Sequence, residues 1–448
     1  LKTRVIIVRH AESTFNVQRL IQGHHDESRL TEKGESQARQ VGAALAAIPL
    51  DAIYTSPLQR ARRTTDLIVE TMRSQQPQIP APQASDGLKE ISLPLWEAMP
   101  FTAVEAQYPT AYRAWHHQPE ALRMELPDGP FYPVRAVWQQ AAQFWQSLLA
   151  EQAGRTVLVV GHSAVNRALI GSAIGLGPES LNRMYQANCG ISVLNFAGPW
   201  GQPAQLESLN LTGHLGTALP VLRSGFQGPR LLLVRHGETD WNRDKRFQGQ
   251  IDIPLNETGR FQASQAADFL KEVPIHGAVS SPMLRPKETA EKILKHHPEV
   301  DLALSEPLQE IGHGLWEGKF EHEIEAAYPG LLQQWQAAPA TVQMPEGENL
   351  QQVWDRAIAG WEAIVAQYSG QESSQTILVV AHDAVNKVIL CHAAGLGPEA
   401  FWQFKQGNGA VSVIDYPAGA GSVPMLSAAN LTTHLSGSIF DMTAAGAL

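Results

Sequence analysis

The sequence predicts two tandem three-layer α/β/α domains, each built on a mostly parallel sheet. Three observations carry that expectation. The chain repeats itself once, strand-sized apolar runs alternate with helical spacing inside each copy, and a stretch bearing glycine and proline separates the copies.

The repeat is read directly. Residues 4–10 are RVIIVRH and residues 230–236 are RLLLVRH. AESTFN at 11–16 answers GETDWN at 237–242, and Gln22-Gly23 answers Gln248-Gly249. SPLQR at 56–60 matches SPMLR at 281–285, and LKE at 88–90 matches LQE at 308–310. VLVVGH at 157–162 matches ILVVAH at 377–382. The offset is 226 residues at the first histidine and 220 from the glutamates onward. A period of that length means two whole domains rather than a solenoid of small units. We expect domains at 1–215 and 230–448, with 216–229 as a linker containing Gly216, Pro220, Gly225, Gly228 and Pro229.

Inside the first copy, residues 5–8, 52–54 and 157–160 are short apolar runs of buried-strand type. Helical spacing occupies 32–48, with Thr31 as N-cap, and 58–72. A further helix follows His162, over 164–174. Strands separated by helices imply a mostly parallel sheet covered on both faces. The second copy has the same pattern.

The 448 residues, 44% hydrophobic and 17% charged, suffice for two substantial cores. A net charge of −10 argues against nucleic acid as a partner, yet local arginines can still build an anion pocket. No apolar run reaches membrane-spanning length, so no membrane partner is expected. Cys189 and Cys391 form no CxxC pattern and are expected to be idle thiols in a reducing compartment. No signal peptide is visible, and the expected location is cytoplasmic, with room for a removed leader because the chain starts at Leu1.

Each repeated polar cluster stands just after an apolar run, at the carboxyl end of an expected strand. Ligands bind at that edge of open α/β sheets. The crevice of the first copy would therefore gather His10 and His162, Arg9 and Arg60, Asn16 and Glu90. Planar guanidinium forks suit phosphate. An imidazole nitrogen can attack phosphorus in line to give a phosphohistidine, while a carboxylic acid protonates the departing oxygen and later activates water. The arginines neutralise charge, so neither a metal nor a cofactor is expected. Phosphate-monoester hydrolysis needs accelerations reaching about 10²¹, of which general acid–base help supplies only about 10²–10⁴. Covalent attack and charge stabilisation must carry the rest.

The strings VRHAESTFN and VRHGETDWN resemble the Arg-His-Gly motif of the histidine phosphatase superfamily, in the branch that contains cofactor-dependent phosphoglycerate mutase. Six separated elements occur in the family order, twice, over nearly the whole chain. The resemblance implies a phosphoglycerate mutase-like fold and His10 and His236 as nucleophiles. It implies Arg9, Arg60 and His162, and Arg235, Arg285 and His382, around the phosphate. Asn16 and Asn242 would contact the phosphoryl group, Glu90 and Glu310 would donate protons, and Gln22-Gly23 and Gln248-Gly249 would lie near the substrate. The first half is similar to one subfamily, the two-part plant phosphatases of 2-carboxyarabinitol 1-phosphate. That implies a small phosphorylated sugar or sugar acid as the partner. The second half of those plant proteins is eroded at its catalytic positions, whereas His236, Arg285, Glu310 and His382 are all present here. The single-domain relatives form dimers, which implies an intramolecular pseudo-dimer or a homodimer.

Two alternatives stand beside hydrolysis. One is a phosphoglycerate mutase, disfavoured because the mutases' proline-rich, double-arginine insertion before the second histidine has no counterpart. The other makes one copy a regulatory, ligand-sensing domain, motivated by divergence after the acid: SLPLWEA at 92–98 against GHGLWEG at 312–318. The histidine pairs 24–25, 116–117 and 296–297 are expected to be inert. Trp115, Trp138, Trp145, Trp335, Trp354 and Trp361 are expected to pack cores, and Arg62-Arg63 to face solvent.

Overall fold

A computed structural model of the chain describes residues 2–446. It divides into two compact units, Leu1–Pro220 and Val221–Leu448. In unit 1 the sheet contains β1 (Thr3–Arg9), β2 (Ala52–Thr55), β3 (Gln83–Ala84), β4 (Thr156–Gly161), β5 (Ile191–Phe196) and β6 (Gln205–Leu211), in the order β6-β5-β1-β4-β2-β3. The pairings β1–β4, β4–β2 and β2–β3 are parallel, whereas β5 runs antiparallel to both β1 and β6. Val5, Ile6, Ile7 and Val8 are all fully buried. Successive strand residues point to opposite faces, so both faces of β1 are covered.

The helices cover those faces in pairs. α1 (Glu32–Leu45) packs on α2 (Gln59–Arg73), and α3 (Pro133–Glu151) packs on α4 (Ser163–Ala173). Thr31 caps α1 as expected, its hydroxyl accepting from the Gly34 N–H at 3.0 Å. α1 ends three residues before the expected 48, and α4 starts at Ser163 directly after His162. Trp138 and Trp145 fill the core, while Trp115 is only half-buried. Arg62 and Arg63 are exposed, and Arg63 pairs with Glu35.

Unit 2 repeats the plan. β7 (Arg230–Arg235), β8 (Gly277–Ser280), β9 (Leu302–Leu304), β10 (Thr376–Ala381), β11 (Val411–Asp415) and β12 (Met425–Leu431) stand in the order β9-β8-β10-β7-β11-β12. Its longer helices are α5 (Glu257–Leu270), α6 (Leu284–Leu294), α7 (Leu350–Gln367) and α8 (Asp383–Ala394). Trp335 and Trp361 are fully buried and Trp354 half-buried. Residues 227–229 are already hydrogen-bonded to unit 2, through Pro417 and Tyr416.

Two features were not expected from the sequence. The first is the antiparallel pair β5–β6, and its equivalent β11–β12, at the side of β1 and β7. Because β5 starts where β1 ends, the loop before it is delivered to the site. The second concerns Asn210 and Asn430, each the first residue of an Asn-Leu-Thr string, near the ends of β6 and β12. Both asparagines are buried in a left-handed conformation (φ 57° and 51°) and accept backbone N–H groups from Ala187 and Gly407. They hold that same loop. Cys189 and Cys391 are free and buried. Among the described residues no helix is long and apolar enough to cross a membrane.

Candidate active site

Strand register brings the dispersed clusters together. Arg9 pairs with Gly161 across β1 and β4, and Thr55 of β2 pairs with Val160. The next residue along each strand is then His10, His162 and Ser56, side by side at one sheet edge. In unit 2 Arg235 pairs with Ala381 and Ser280 with Val380, so His236, His382 and Ser281 stand the same way.

The first histidine is held by its own backbone. His10 Nδ1 lies 2.8 Å from the Ala11 carbonyl, and His236 Nδ1 lies 2.7 Å from that of Gly237. A carbonyl only accepts, so Nδ1 carries the proton and Nε2 presents its lone pair. In unit 2 the Arg285 Nε–H donates to His236 Nε2 at 3.2 Å, which requires the same tautomer. Burial, then Arg60 and Arg9, hold His10 neutral by pushing its pKa well below the ordinary imidazole value. Burial, then Arg285 and Arg235, do so for His236.

The second histidine faces the first, with ring centroids 5.2 Å apart in both units. Its Nε2 meets a serine hydroxyl, Ser56 Oγ at 2.7 Å from His162 and Ser281 Oγ at 2.9 Å from His382. Its Nδ1 is buried with no hydrogen-bond partner among the described residues in either unit. That orphaned atom is the one available to a ligand.

The arginines are anchored from behind. Arg60 donates Nη1 to the His25 carbonyl (3.0 Å) and Nη2 to the Gly23 carbonyl (2.9 Å). Arg285 does the same to Ile251 (3.2 Å) and Gly249 (2.8 Å). Burial lowers both guanidinium pKa values to about 10, which leaves them charged at neutral pH. Gly23 has φ +51° and lies so close to Glu97 that a Cβ would fall 2.3 Å from its Oε1. Glycine is therefore required where the chain turns to offer Arg60 its anchor. Arg9 donates to the Gln186 carbonyl at 2.7 Å. Arg235 donates to the carbonyls of Gln406 and Ala445, both at 2.6 Å, and lies 3.2 Å from Asp383.

The remaining predicted residues join the same cluster. Asn16 Oδ1 accepts from Ser13 and from Asn188 Nδ2, and Gln22 Oε1 accepts from Ser13 Oγ. Asn242 accepts from Thr239 and Asn408, and Thr239 also donates to Gln248. Glu90 and Glu310 reach the first turn of the helix after the second histidine, through Ala164 and Ala384.

Several members went unread in the sequence. Asn188 ties the His10 carbonyl (2.9 Å) to Asn16, and Asn408 repeats this in unit 2. Ser56 stands at a strand end as the sequence predicts, but its bond to the second histidine, and that of Ser281, was not read. His24, expected to be inert, bonds the Glu90 carbonyl at 2.7 Å, where unit 2 places Gln250 at 3.1 Å from that of Glu310. Arg356 donates to the carbonyls of Pro307, Gln309 and Glu310 and pairs with Glu348. Gln140 makes the corresponding bonds to Gly87 and Lys89. The duplication was the signal that could have exposed Asn188.

Comparison with known proteins agrees with this geometry. The profile of the Histidine phosphatase superfamily (branch 1) matches residues 5–209 and again 231–428. A 2-carboxy-D-arabinitol-1-phosphatase of Triticum aestivum is 30% identical over 96% of this chain and 86% of its own length. A probable 2-carboxy-D-arabinitol-1-phosphatase of Arabidopsis thaliana is 30% identical over 96% of this chain and 88% of its own. Phosphoserine phosphatase 1 of Hydrogenobacter thermophilus is 30% identical over 46% of this chain and 94% of its own. The chain belongs to the histidine phosphatase superfamily, branch 1, matches that family twice in tandem, and is a metal-independent phosphoric monoester hydrolase.

Proposed function

We propose that both units hydrolyse small phosphorylated sugars or sugar acids, of the 2-carboxyarabinitol 1-phosphate or sugar bisphosphate type, through a phosphohistidine. The observation that carries this reading is the state of the first histidine in each unit: a neutral imidazole, its Nδ1 proton committed to a carbonyl, its Nε2 lone pair beside buried arginines. Nε2 attacks phosphorus as the bond to the leaving oxygen breaks. Arg9 and Arg60, or Arg235 and Arg285, take up the charge on the phosphoryl oxygens, and Nδ1 of the second histidine adds a contact. Glu90 or Glu310 gives its proton to the leaving oxygen. It then takes one from the water that cleaves the phosphorus–nitrogen bond, which returns the histidine to its starting state. The substrate class rests on the two full-length plant relatives, and the presence of the whole cluster in both units supports two working sites.

The test is phosphate release with chelator present from carboxyarabinitol phosphate, sugar bisphosphates, phosphoglycerates and phosphoserine. Wild type runs beside His10→Ala, His236→Ala and the double variant. Two independent sites predict that each single variant keeps part of the activity and that the double variant is dead. A double variant that still turns over would overturn the histidine mechanism. One single variant that abolishes everything would leave the other unit as a ligand sensor. Phosphoryl transfer between phosphoglycerates in place of release would make the enzyme a mutase.

A further inference from the structure

The units differ in what occupies the first turn of the helix after the second histidine. In unit 1 that turn starts with Ser163, and Glu90 fills it. Glu90 Oε1 accepts from the N–H groups of Ile91 (2.9 Å), Ala164 (3.0 Å) and Val165 (3.0 Å), and Oε2 from Ala164 (3.2 Å). In unit 2 the turn starts with Asp383, a buried carboxylate with Oδ1 3.2 Å from Arg235 Nη1 and Oδ2 2.7 Å from Lys387 Nζ. Glu310 keeps the Ile311 N–H (3.0 Å) and only a long contact, 3.4 Å, with Ala384.

Two carboxylates at one buried helix start do not both ionise cheaply. Asp383 has two cations against it, Arg235 and Lys387. Burial, and next the charge of Asp383, push the Glu310 carboxyl up from its ordinary value, with Arg285 and Arg235 opposing. Arg356 touches Glu310 only at its carbonyl and spends its guanidinium on Glu348. Burial and the neighbouring carboxylate thus both disfavour the charged form of Glu310.

We propose, resting on the phosphohistidine reading above, that Asp383 is a positioning residue that keeps Glu310 supplied with the proton for the leaving oxygen, so that unit 2 hydrolyses phosphate esters of alcohols to higher pH than unit 1. As Nε2–P forms and P–O breaks, the Glu310 proton passes to the alkoxide. The Glu310 carboxylate left beside Asp383 is then a stronger base toward water. In unit 1 the equivalent acid, Glu90, has backbone N–H donors around it, three of them on Oε1, and Ser163 in place of the second carboxylate. A nitrophenolate leaves without a proton, so the dependence is confined to alcohol esters.

The experiment uses the full chain in two backgrounds, His10→Ala to report unit 2 and His236→Ala to report unit 1. Rates are followed from pH 5 to 9 on 3-phosphoglycerate and on p-nitrophenyl phosphate. Asp383→Asn and Asp383→Ser should move the alkaline limb for 3-phosphoglycerate to lower pH. The 3-phosphoglycerate to nitrophenyl ratio should drop about tenfold where the limb has moved by one pH unit. Glu310→Gln should cost about 10²-fold or more on 3-phosphoglycerate and far less on the aryl ester. Ser163→Asp adds the carboxylate beside Arg9 and the Arg167 that stands at the place of Lys387, and should move the unit 1 limb upward. An equal loss on both substrates, or an unmoved limb, in both Asp383 variants and in Ser163→Asp would overturn the proposal, because damage to the arginine clamp does only that. Absence of any turnover in His10→Ala alone would overturn the parent reading for unit 2, and this proposal with it.

Discussion

His313 offers a prediction whose size follows from the structure. It is fully buried with both ring nitrogens lacking a hydrogen-bond partner among the described residues. Phe247 and Trp335 meet it edge-on, with centroids at 5.1 and 6.2 Å. Unit 1 puts Leu93 at this place, and the N–H groups of Leu93 and His313 address the equivalent carboxylates, Glu97 and Glu317. Burial pushes the His313 pKa down to about 3. Between pH 6.5 and pH 3 the unfolded imidazole is protonated and the folded one is not. The unfolded state then binds the extra proton, and lowering the pH favours unfolding by about 1.4 kcal/mol per pH unit, or about 2 kcal/mol at pH 5. His313→Leu removes this term. At pH 7 it also removes two buried polar atoms, a gain of about 1–3 kcal/mol. The assay is urea unfolding at pH 7 and pH 5, with hydrogen exchange of peptides spanning 311–335 to assign the transition to unit 2. Other buried imidazoles, His434 among them at about 4, also weaken the wild type in acid, but they cancel in the difference. The advantage of the variant should grow by about 2 kcal/mol from pH 7 to pH 5. An advantage equal at both pH values would refute the argument.

Other outcomes follow from the same geometry. Gly249→Ala places a Cβ 2.2 Å from Glu317 Oε1, a carboxylate already held by the N–H groups of Gln250 and His313, at φ +58°. It should cost about 1–3 kcal/mol and displace the anchor of Arg285, so phosphate release in the His10→Ala background should collapse while that in His236→Ala persists. Ser56→Ala frees the ring of His162 and should lower kcat in His236→Ala about tenfold, the scale of one lost orienting hydrogen bond of about 1.4 kcal/mol, whereas Ser56→Thr keeps the hydroxyl and restores part of the rate. Arg60→Lys keeps the charge but cannot span the Gly23 and His25 carbonyls while facing phosphate, so its KM for phosphate esters should rise at least tenfold, as titration kinetics in His236→Ala would measure. Because burial and the arginines depress the pKa of both first histidines, lowering the pH from 7 to 6 should not remove activity through the nucleophile; a rate falling with an apparent pKa near 6.5 that His10→Ala and His236→Ala each halve would contradict this.

The duplication of short strings such as RVIIVRH and RLLLVRH made the tandem order and the α/β class legible without coordinates, because alternating apolar runs and capped helices are local signals. The residues at strand ends were legible for the same reason: topology alone sends them to one edge. The antiparallel strands β5 and β11 escaped, since a fully buried run such as ISVLNF has no alternation to distinguish it from a buried helix segment. With them went Asn188 and Asn408, whose contact with the nucleophile exists only through pairing across 178 and 172 positions. The clearest limit is the pair of acids. LKE and LQE look alike, and the segments that follow them, SLPLWEA and GHGLWEG, differ without bringing a charge to either acid. What separates them is a residue 73 positions later, Ser163 or Asp383, together with the burial that lets one carboxylate feel another. Residue identity was written locally, whereas the charge state of each group depends on desolvation and on neighbours remote in sequence, and those belong to the folded chain alone.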